Sequence, residues 1–286
     1  MTPLQVLESW LRARLPAPAF AWLQEQAAIL SVHSGDARLY MAVSLVARKI
    51  GKDDLNATPE ERSAADQVRR GWDPTDWSLD QAARIHLLLA GGGDGARFSH
   101  RLDQLCATAD IGELVAFYRG LPLYPDPPRH AERAAEGVRS NMRAVFQAVA
   151  HRNPYPSEQL PEGAWNQMVL KALFVGVRLD PIVGLDTRAN PALARMLTDY
   201  AHERWAASRT ISPELWRCVG PFATGGMLDD LKRVLTTGTD NERAAAALAL
   251  TSANNPDAVA LLKAHPVLVK SIAEGTLTWR SLAQAI

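Results

Sequence analysis

The chain has 286 residues, of which 47% are hydrophobic and 22% are charged, and its 31 lysines and arginines balance 31 acidic residues. This is the composition of a globular protein, and the length suffices for one large or two ordinary domains. A net charge of zero argues against a nucleic-acid partner, because binding to a polyanion usually goes with a basic excess. Two cysteines, Cys106 and Cys218, are too few for a disulfide framework and indicate a reducing compartment.

The sequence predicts neither a targeting segment nor a membrane span. Its first residues lack a basic region followed by a continuous apolar core. Apolar runs all fall short of the roughly 18–20 residues that cross a bilayer. We therefore expect a cytoplasmic protein.

Helical patterns follow one another along the chain, with apolar residues recurring at a period of 3.6. Several begin with a Ser, Thr or Asn cap followed by proline. The predicted helices cover residues 2–14, 17–33, 36–50, a helix opening at Thr58, 78–90, 96–108, 111–120, 129–150, 165–177, 191–209, a helix opening at Ser212, 226–237, 241–252 and 257–264. Because no segment alternates like a strand, the sequence predicts an all-α protein.

The C-terminal part indicates how the helices are arranged. Residues 226–265 read as helical hairpins, and the stretch 241–262 resembles the inner helix and corner of a HEAT repeat. A strict period is not visible upstream. We therefore expect an irregular HEAT-like α-helical superhelix of paired antiparallel helices, forming a single domain over residues 1–286.

Common cofactor and metal motifs find no support in the sequence. The glycines at 91–95 match a dinucleotide fingerprint, but a helix precedes them where a strand is required. None of the seven histidines pairs at i, i+4, and the acidic pairs 53–54 and 229–230 stand alone. We predict no catalytic residue, no cofactor and no bound metal.

The stretch 151–222 places polar residues where a helix should bury them. Helix 165–177 carries one charge, Lys171, and apolar residues form one stripe along it. A second face runs through the i, i+3, i+4, i+7 positions Gln167, Leu170, Lys171 and Phe174. A helix with almost no solvated side is normally buried, so we expect polar groups inside protein.

Such a helix suggests a ligand pocket. Asn166, Gln167 and Lys171 would supply its polar contacts, and the apolar wall would consist of Trp165, Leu170, Phe174 and Trp205. The alternative is a hydrogen-bonded structural network from which Lys171 reaches water.

Two further helices carry charged residues that need partners. In helix 191–209, Arg204 projects into the apolar side, and we expect it to be buried and paired with Asp186, with Glu203 as the alternative carboxylate. Presentation of Arg204 to an anionic ligand is the other possibility. In the next helix, Glu214 and Arg217 lie at i, i+3 and are expected to pair on the surface.

Five segments of this stretch are similar, in the same order, to the EboA family. They are RNPYP (152–156), WNQMVLKALF (165–174), GLDTRANPALARM (184–196), YAHERWAA (200–207) and PELWR (213–217). This dense match covers about seventy residues. EboA proteins are associated with bacterial and plastid gene clusters that also encode a UbiA-type prenyltransferase and hydrolase- or isomerase-like proteins. The resemblance implies a role with an isoprenoid-like metabolite but brings no catalytic residue.

The resulting hypothesis is a non-catalytic binding, carrier or accessory protein in biosynthesis or transport of such a metabolite. Its partners would be an apolar or prenylated small molecule and pathway proteins, including a membrane prenyltransferase. An enzyme of the same pathway, using Lys171 and Arg204, is one alternative. A scaffold for the pathway proteins, which needs no pocket, is another.

Overall fold

The computed structural model describes residues 1–32 and 35–285, so residue 33, the predicted end of a helix, lies outside the described part. The prediction of an all-α protein is confirmed. Within the described residues there is no β-strand, although Asp54 and Ser78 form an isolated antiparallel bridge. The chain divides into two compact units, residues 1–161 and 162–286. That all 286 residues form one domain stays a prediction.

Unit 1 is built of ten α-helices among its described residues. Several of them begin with capping boxes; in two of these, Thr2 and Thr58 accept hydrogen bonds from the backbone amides of Gln5 and Glu61. The helices are α1 (Pro3–Arg14), α2 (Ala17–Val32), α3 (Asp36–Ile50), α4 (Pro59–Val68), α5 (Leu79–Ala90), α6 (Gly95–Thr108), α7 (Ile111–Arg119), α8 (Ala131–Arg139), α9 (Arg143–Ala150) and α10 (Tyr155–Gln159).

Helix α5 is the centre of unit 1. It packs against α1, α2, α3 and α7, and α7 in turn packs against α9. Because α5 is enclosed on several sides, it buries charged as well as apolar residues, and Arg84 donates a hydrogen bond to Asp80 one turn earlier. The indole rings of Trp10, Trp72 and Trp77 pack in a row, with centroids 5.1 and 5.9 Å apart.

The prediction of one long helix over 129–150 is wrong. The segment forms a 3₁₀ turn at Pro127–His130, then α8, and then α9 after a break at residues 140–142. Ser140 adopts an extended conformation, and its hydroxyl accepts a hydrogen bond from the amide of Met142 at 3.1 Å. The break lets α8 fold back onto α9 so closely that a Cβ at Gly137 would lie 2.5 Å from Val149. Tertiary packing therefore overrides the helical periodicity.

Unit 2 begins with two long helices joined by an irregular segment. Short helical turns follow at residues 213–222, and α-helices fill the rest. The helices are α11 (Glu162–Phe174), α12 (Pro191–Ala206), α13 (Trp216–Val219), α14 (Gly226–Thr237), α15 (Asp240–Ser252), α16 (Pro256–Lys263), α17 (Pro266–Ala273) and α18 (Trp279–Ala285).

Helix α15 is the centre of the C-terminal helices. It packs against α13, α14, α16, α17 and α18, and its alanine-rich middle is buried. Small side chains allow these helices to approach closely. The predicted hairpin of residues 226–252 is confirmed as α14 and α15, whereas the HEAT-like superhelix stays a prediction. No helix in the described residues is long and apolar enough to cross a membrane.

Candidate functional site

Helix α11 is not buried on every side, so that expectation is wrong. Trp165, Asn166 and the stripe that continues from them are buried. Gln167 is exposed, and the side chain of Phe174 is 75% exposed. Leu170 and Lys171 are partly exposed, and burial lowers the pKa of Lys171. The second face predicted from spacing therefore exists, but it faces water.

Asn166 joins α11 to the start of α12. Its Nδ2 donates to Oδ1 of Asn190 at 3.2 Å, and its Oδ1 accepts from Nδ2 of Asn190 at 2.9 Å. Asn190 is also the N-cap of α12, because its Oδ1 accepts a hydrogen bond from the amide of Leu193 at 2.9 Å. Both ends of the Asn166 amide are thus satisfied within the protein, as in the structural alternative. Ligand contact by Asn166 stays a prediction.

The predicted pairing of Arg204 with Asp186 or Glu203 is wrong. The Nε and Nη2 atoms of Arg204 both donate to the carbonyl oxygen of Thr210, at 3.0 and 2.8 Å, and the side chain is only partly buried. Helix α12 ends at Ala206, earlier than predicted, and Ser208 has a φ of +53°. The chain reverses there and brings a backbone carbonyl to the guanidinium, so no carboxylate is needed.

The predicted surface pair of Glu214 and Arg217 is also wrong. Glu214 is buried and accepts hydrogen bonds from the amides of Leu179 and Asp180, at 2.9 and 2.8 Å. Arg217 binds both carboxylate oxygens of Asp186 through Nε and Nη2, at 2.6 and 2.7 Å, and binds Asp180 through Nη1 at 3.1 Å. Together the two residues hold the segment after α11. The carboxylate expected at Arg204 is therefore bound by Arg217.

Aromatic rings and arginines pack together in this unit. The guanidinium of Arg188 lies 5.0 Å from the ring of Trp165, and that of Arg233 lies 4.3 Å from the ring of Trp205. Trp205 also packs against the fully buried Trp216, with ring centroids 5.8 Å apart. Two predicted wall residues are thus engaged in cation–π contacts that cover one side of each ring.

A groove of about 260 Å³ opens at the C-terminal end of α11. Apolar side chains from the end of this helix and from the turn that begins at Ser212 form much of its wall. Its lining consists of Leu173, Gly176, Val177, Arg178, Ser212, Pro213 and Glu214. None of the predicted ligand contacts is among these residues, although four of them, Gln167, Leu170, Lys171 and Phe174, form the water-facing side of the same helix.

Unit 1 contains a second, more polar pocket of about 240 Å³. It is lined by Asp73, Asp76, Trp77, Arg119, Gln147, His151 and Arg152. Arg152 pairs with Asp76 and, through Nε, with Asp73 at 3.3 Å. The Nη1 atom of Arg119 donates to the carbonyl oxygen of Asp76 and to Oε1 of Gln81. Among the described residues, no group of three or more His, Cys, Asp or Glu side chains is arranged to hold a metal ion.

The sequence model of the EboA family, described as metabolite traffic protein EboA, matches residues 4–220. The chain belongs to the EboA family. No curated protein and no solved structure matches it.

The RNPYP segment of this EboA chain has a clear structural role. Asn153 is buried and its Nδ2 donates to the carbonyl oxygens of Tyr118 and Ala148, both at 3.0 Å, which joins the ends of α7 and α9. Its Oδ1 accepts from the amide of Tyr155 at 3.1 Å, and the Tyr155 hydroxyl donates to the carbonyl oxygen of Pro127. The segment thus fixes the chain beside the polar pocket, to which it contributes Arg152.

Sequence reasoning missed Arg119 and misassigned Glu214 and Arg217. Arg119 stands at the end of an ordinary amphipathic helix, where a basic residue is common, so its pattern gives no signal. Glu214 and Arg217 could have been recognised, since both belong to an EboA segment and the preceding loop offers Asp180 and Asp186 as partners.

Proposed function

We propose that this EboA family member is a non-catalytic binding protein that carries a mostly apolar, isoprenoid-like metabolite. The observation that carries the proposal is the groove at the end of α11, where the apolar residues Leu173, Val177 and Pro213 line an accessible space. Small-molecule sites are mainly apolar with a few polar groups. The family description, metabolite traffic, agrees with binding and release of a ligand.

The water-facing side of α11 supports the same proposal. Gln167, Leu170, Lys171 and Phe174 are all at least partly open, so a ligand can reach them. A ligand with its apolar body in the groove near Leu173 would have to extend around α11 for an anionic end to reach Lys171, because side chains at i and i+2 do not face each other. Asn166, Trp165 and Trp205 would then act mainly by supporting the helix.

The proposal extends to the protein's surroundings. We infer that it works in the cytoplasm as an irregular HEAT-like superhelix and delivers its ligand to, or accepts it from, pathway proteins that include a membrane prenyltransferase. A scaffold for those proteins is the second candidate. It is favoured by α17, which buries no residue completely and leaves Val267 76% exposed.

The test is binding of a fluorescent prenyl diphosphate analogue, together with native mass spectrometry of protein purified from its own host. Ser212→Phe should fill the groove and weaken binding about tenfold, because the added ring competes for the same apolar wall. Lys171→Met should weaken binding by about 2 kcal/mol, on the scale of a charge-assisted hydrogen bond, with little loss of stability.

Val259→Ser is the matched control, since Val259 is also an exposed apolar residue of unit 2 and does not line the groove. Its affinity should equal that of the wild type. If no small molecule co-purifies and Ser212→Phe binds the analogue as well as Val259→Ser does, the carrier proposal fails and the scaffold takes its place.

A further inference from the structure

The polar pocket of unit 1 is a separate space with a different chemistry from the groove. The turn at Asp73–Trp77, the last residue of α7, the last turn of α9 and the residues just after it form its walls. Its volume of about 240 Å³ is below the roughly 300–1,000 Å³ of drug-sized ligand sites. It therefore suits a compact molecule or the polar end of a larger one.

Arg119 is held in a fixed orientation at this pocket. Its Nη1 donates to two acceptors of the protein, the carbonyl oxygen of Asp76 and the side-chain oxygen of Gln81. Both acceptors are neutral groups. These two hydrogen bonds fix the orientation of the guanidinium before a ligand binds. The side chain therefore loses less conformational entropy when its remaining donors bind a ligand.

The other edge of Arg119 is unused. Within the part of the chain that the structure describes, Nε and Nη2 of Arg119 make no hydrogen bond or ion pair, and neither atom is sealed from solvent. This Nε–Nη2 edge is the one that Arg217 uses to bind both oxygens of Asp186. Arg119 thus presents the same pair of donors without a carboxylate opposite them.

The pocket lining contains two arginines and two aspartates, and the two arginines differ in how their charges are compensated. Arg152 has its charge compensated by Asp73 and Asp76. Arg119 has only neutral oxygens as hydrogen-bond partners, and burial, together with repulsion from Arg152, lowers its pKa despite the attraction of Asp76 and Asp80. An oxyanion that binds Nε and Nη2 would form a charge-assisted pair with a partly desolvated cation. Such pairs are stronger where water is partly excluded.

We propose that the polar pocket of unit 1 binds a small oxyanion, a carboxylate or a phosphate group, through the Nε–Nη2 edge of Arg119. Its lining shares no residue with that of the apolar groove of unit 2. The indole of Trp77 and the amide of Gln147, which also line the pocket, would contact the rest of the ligand.

The experiment is isothermal titration of the full chain with benzoate, phenyl phosphate and uncharged benzamide at constant ionic strength. A carboxylate and a phosphate can both bind the same two donors of Arg119. The anion with the lower dissociation constant therefore identifies the group that the site prefers. We expect at least one anion to bind and benzamide not to bind. Arg119→Lys keeps the charge but loses the paired donors, so it should weaken anion binding about tenfold.

Arg70→Met is the matched control, because Arg70 is a highly exposed arginine of the same unit. Its anion affinity should equal that of the wild type. A ¹⁵N spectrum of the wild type gives a second readout that needs no variant, since anion addition should shift the Arg119 Nε–H resonance. The proposal is overturned if neither anion binds, if Arg119→Lys binds as tightly as the wild type, or if that resonance does not move.

Discussion

At the scale of single residues, Arg204 and Arg217 differ in what they hold. Arg217 bridges Asp180 and Asp186, whereas Arg204 bonds one backbone carbonyl. Arg217→Met should lower the free energy of unfolding by about 2 kcal/mol, discounted because Asp186 is well exposed. Arg204→Met should cost less than about 1 kcal/mol, since it leaves no carboxylate stranded. Urea denaturation of both variants measures the difference, and equal midpoints would contradict the assignment of partners.

At the scale of elements, Asn153 should contribute more to the free energy of unfolding than its size suggests. Its side chain forms hydrogen bonds with α7, with α9 and with the first residue of α10. Replacing Asn153 with Leu keeps its approximate volume but strands two carbonyls and one amide. The loss should be roughly 3 kcal/mol, seen as a lower thermal midpoint. Asn141→Leu, at an exposed position between α8 and α9, is the control and should change stability by less than about 0.5 kcal/mol. A small effect at Asn153 would show that water replaces its bonds.

Most helix bounds could be predicted from the sequence, whereas the break within 129–150 and the ends of α11 and α12 could not. Thr2, Thr58 and Asn190 act as caps because the rule that identifies them is local: a side-chain oxygen meets an amide three residues later. The break at 140–142 contains neither glycine nor proline. It depends on the close contact between α8 and α9, which no local pattern records.

In the candidate site, too, local patterns could be predicted from the sequence, whereas features that depend on tertiary contacts could not. The face of α11 that carries Gln167 and Lys171 could be read from spacing, because side chains at i, i+3 and i+4 share a face. Which face meets water depends on the neighbouring elements, and here the prediction was wrong. The partner of Asp186 depends on where α12 ends, so an error of three residues at a helix end moved the expected ion pair from Arg217 to Arg204.

At the scale of the whole molecule, the free energy of unfolding should depend on pH through two histidines of unit 1. His86 and His130 are both buried in unit 1, and burial lowers the pKa of each. The unfolded chain takes up protons near pH 6.5 and the folded chain does so only at lower pH. The free energy of unfolding is therefore at its full value above about pH 6.5, and it falls as the pH drops below this value.

Urea denaturation at about pH 7.5 and about pH 5.5 tests this. We expect a lower free energy of unfolding at the lower pH, and a smaller drop for the double variant His86→Gln with His130→Gln, which cannot gain the charge. His100→Gln, at an exposed position of α6, should keep the full pH dependence. An identical pH dependence in all three proteins would mean that these buried rings do not control the acid response.

The family match and the compact unit of the structure end at different residues, and Gly220 marks the difference. The match to the EboA family ends at this residue, in the middle of unit 2. A Cβ at Gly220 would lie 2.4 Å from the carbonyl oxygen of Ala249, so this end of the matched region packs closely against α15. Trimming the chain to the family boundary would remove the helix on which α13 rests and leave its buried apolar side chains facing water. In this protein the inherited signature therefore ends inside a packed set of helices and not at the boundary of a compact unit.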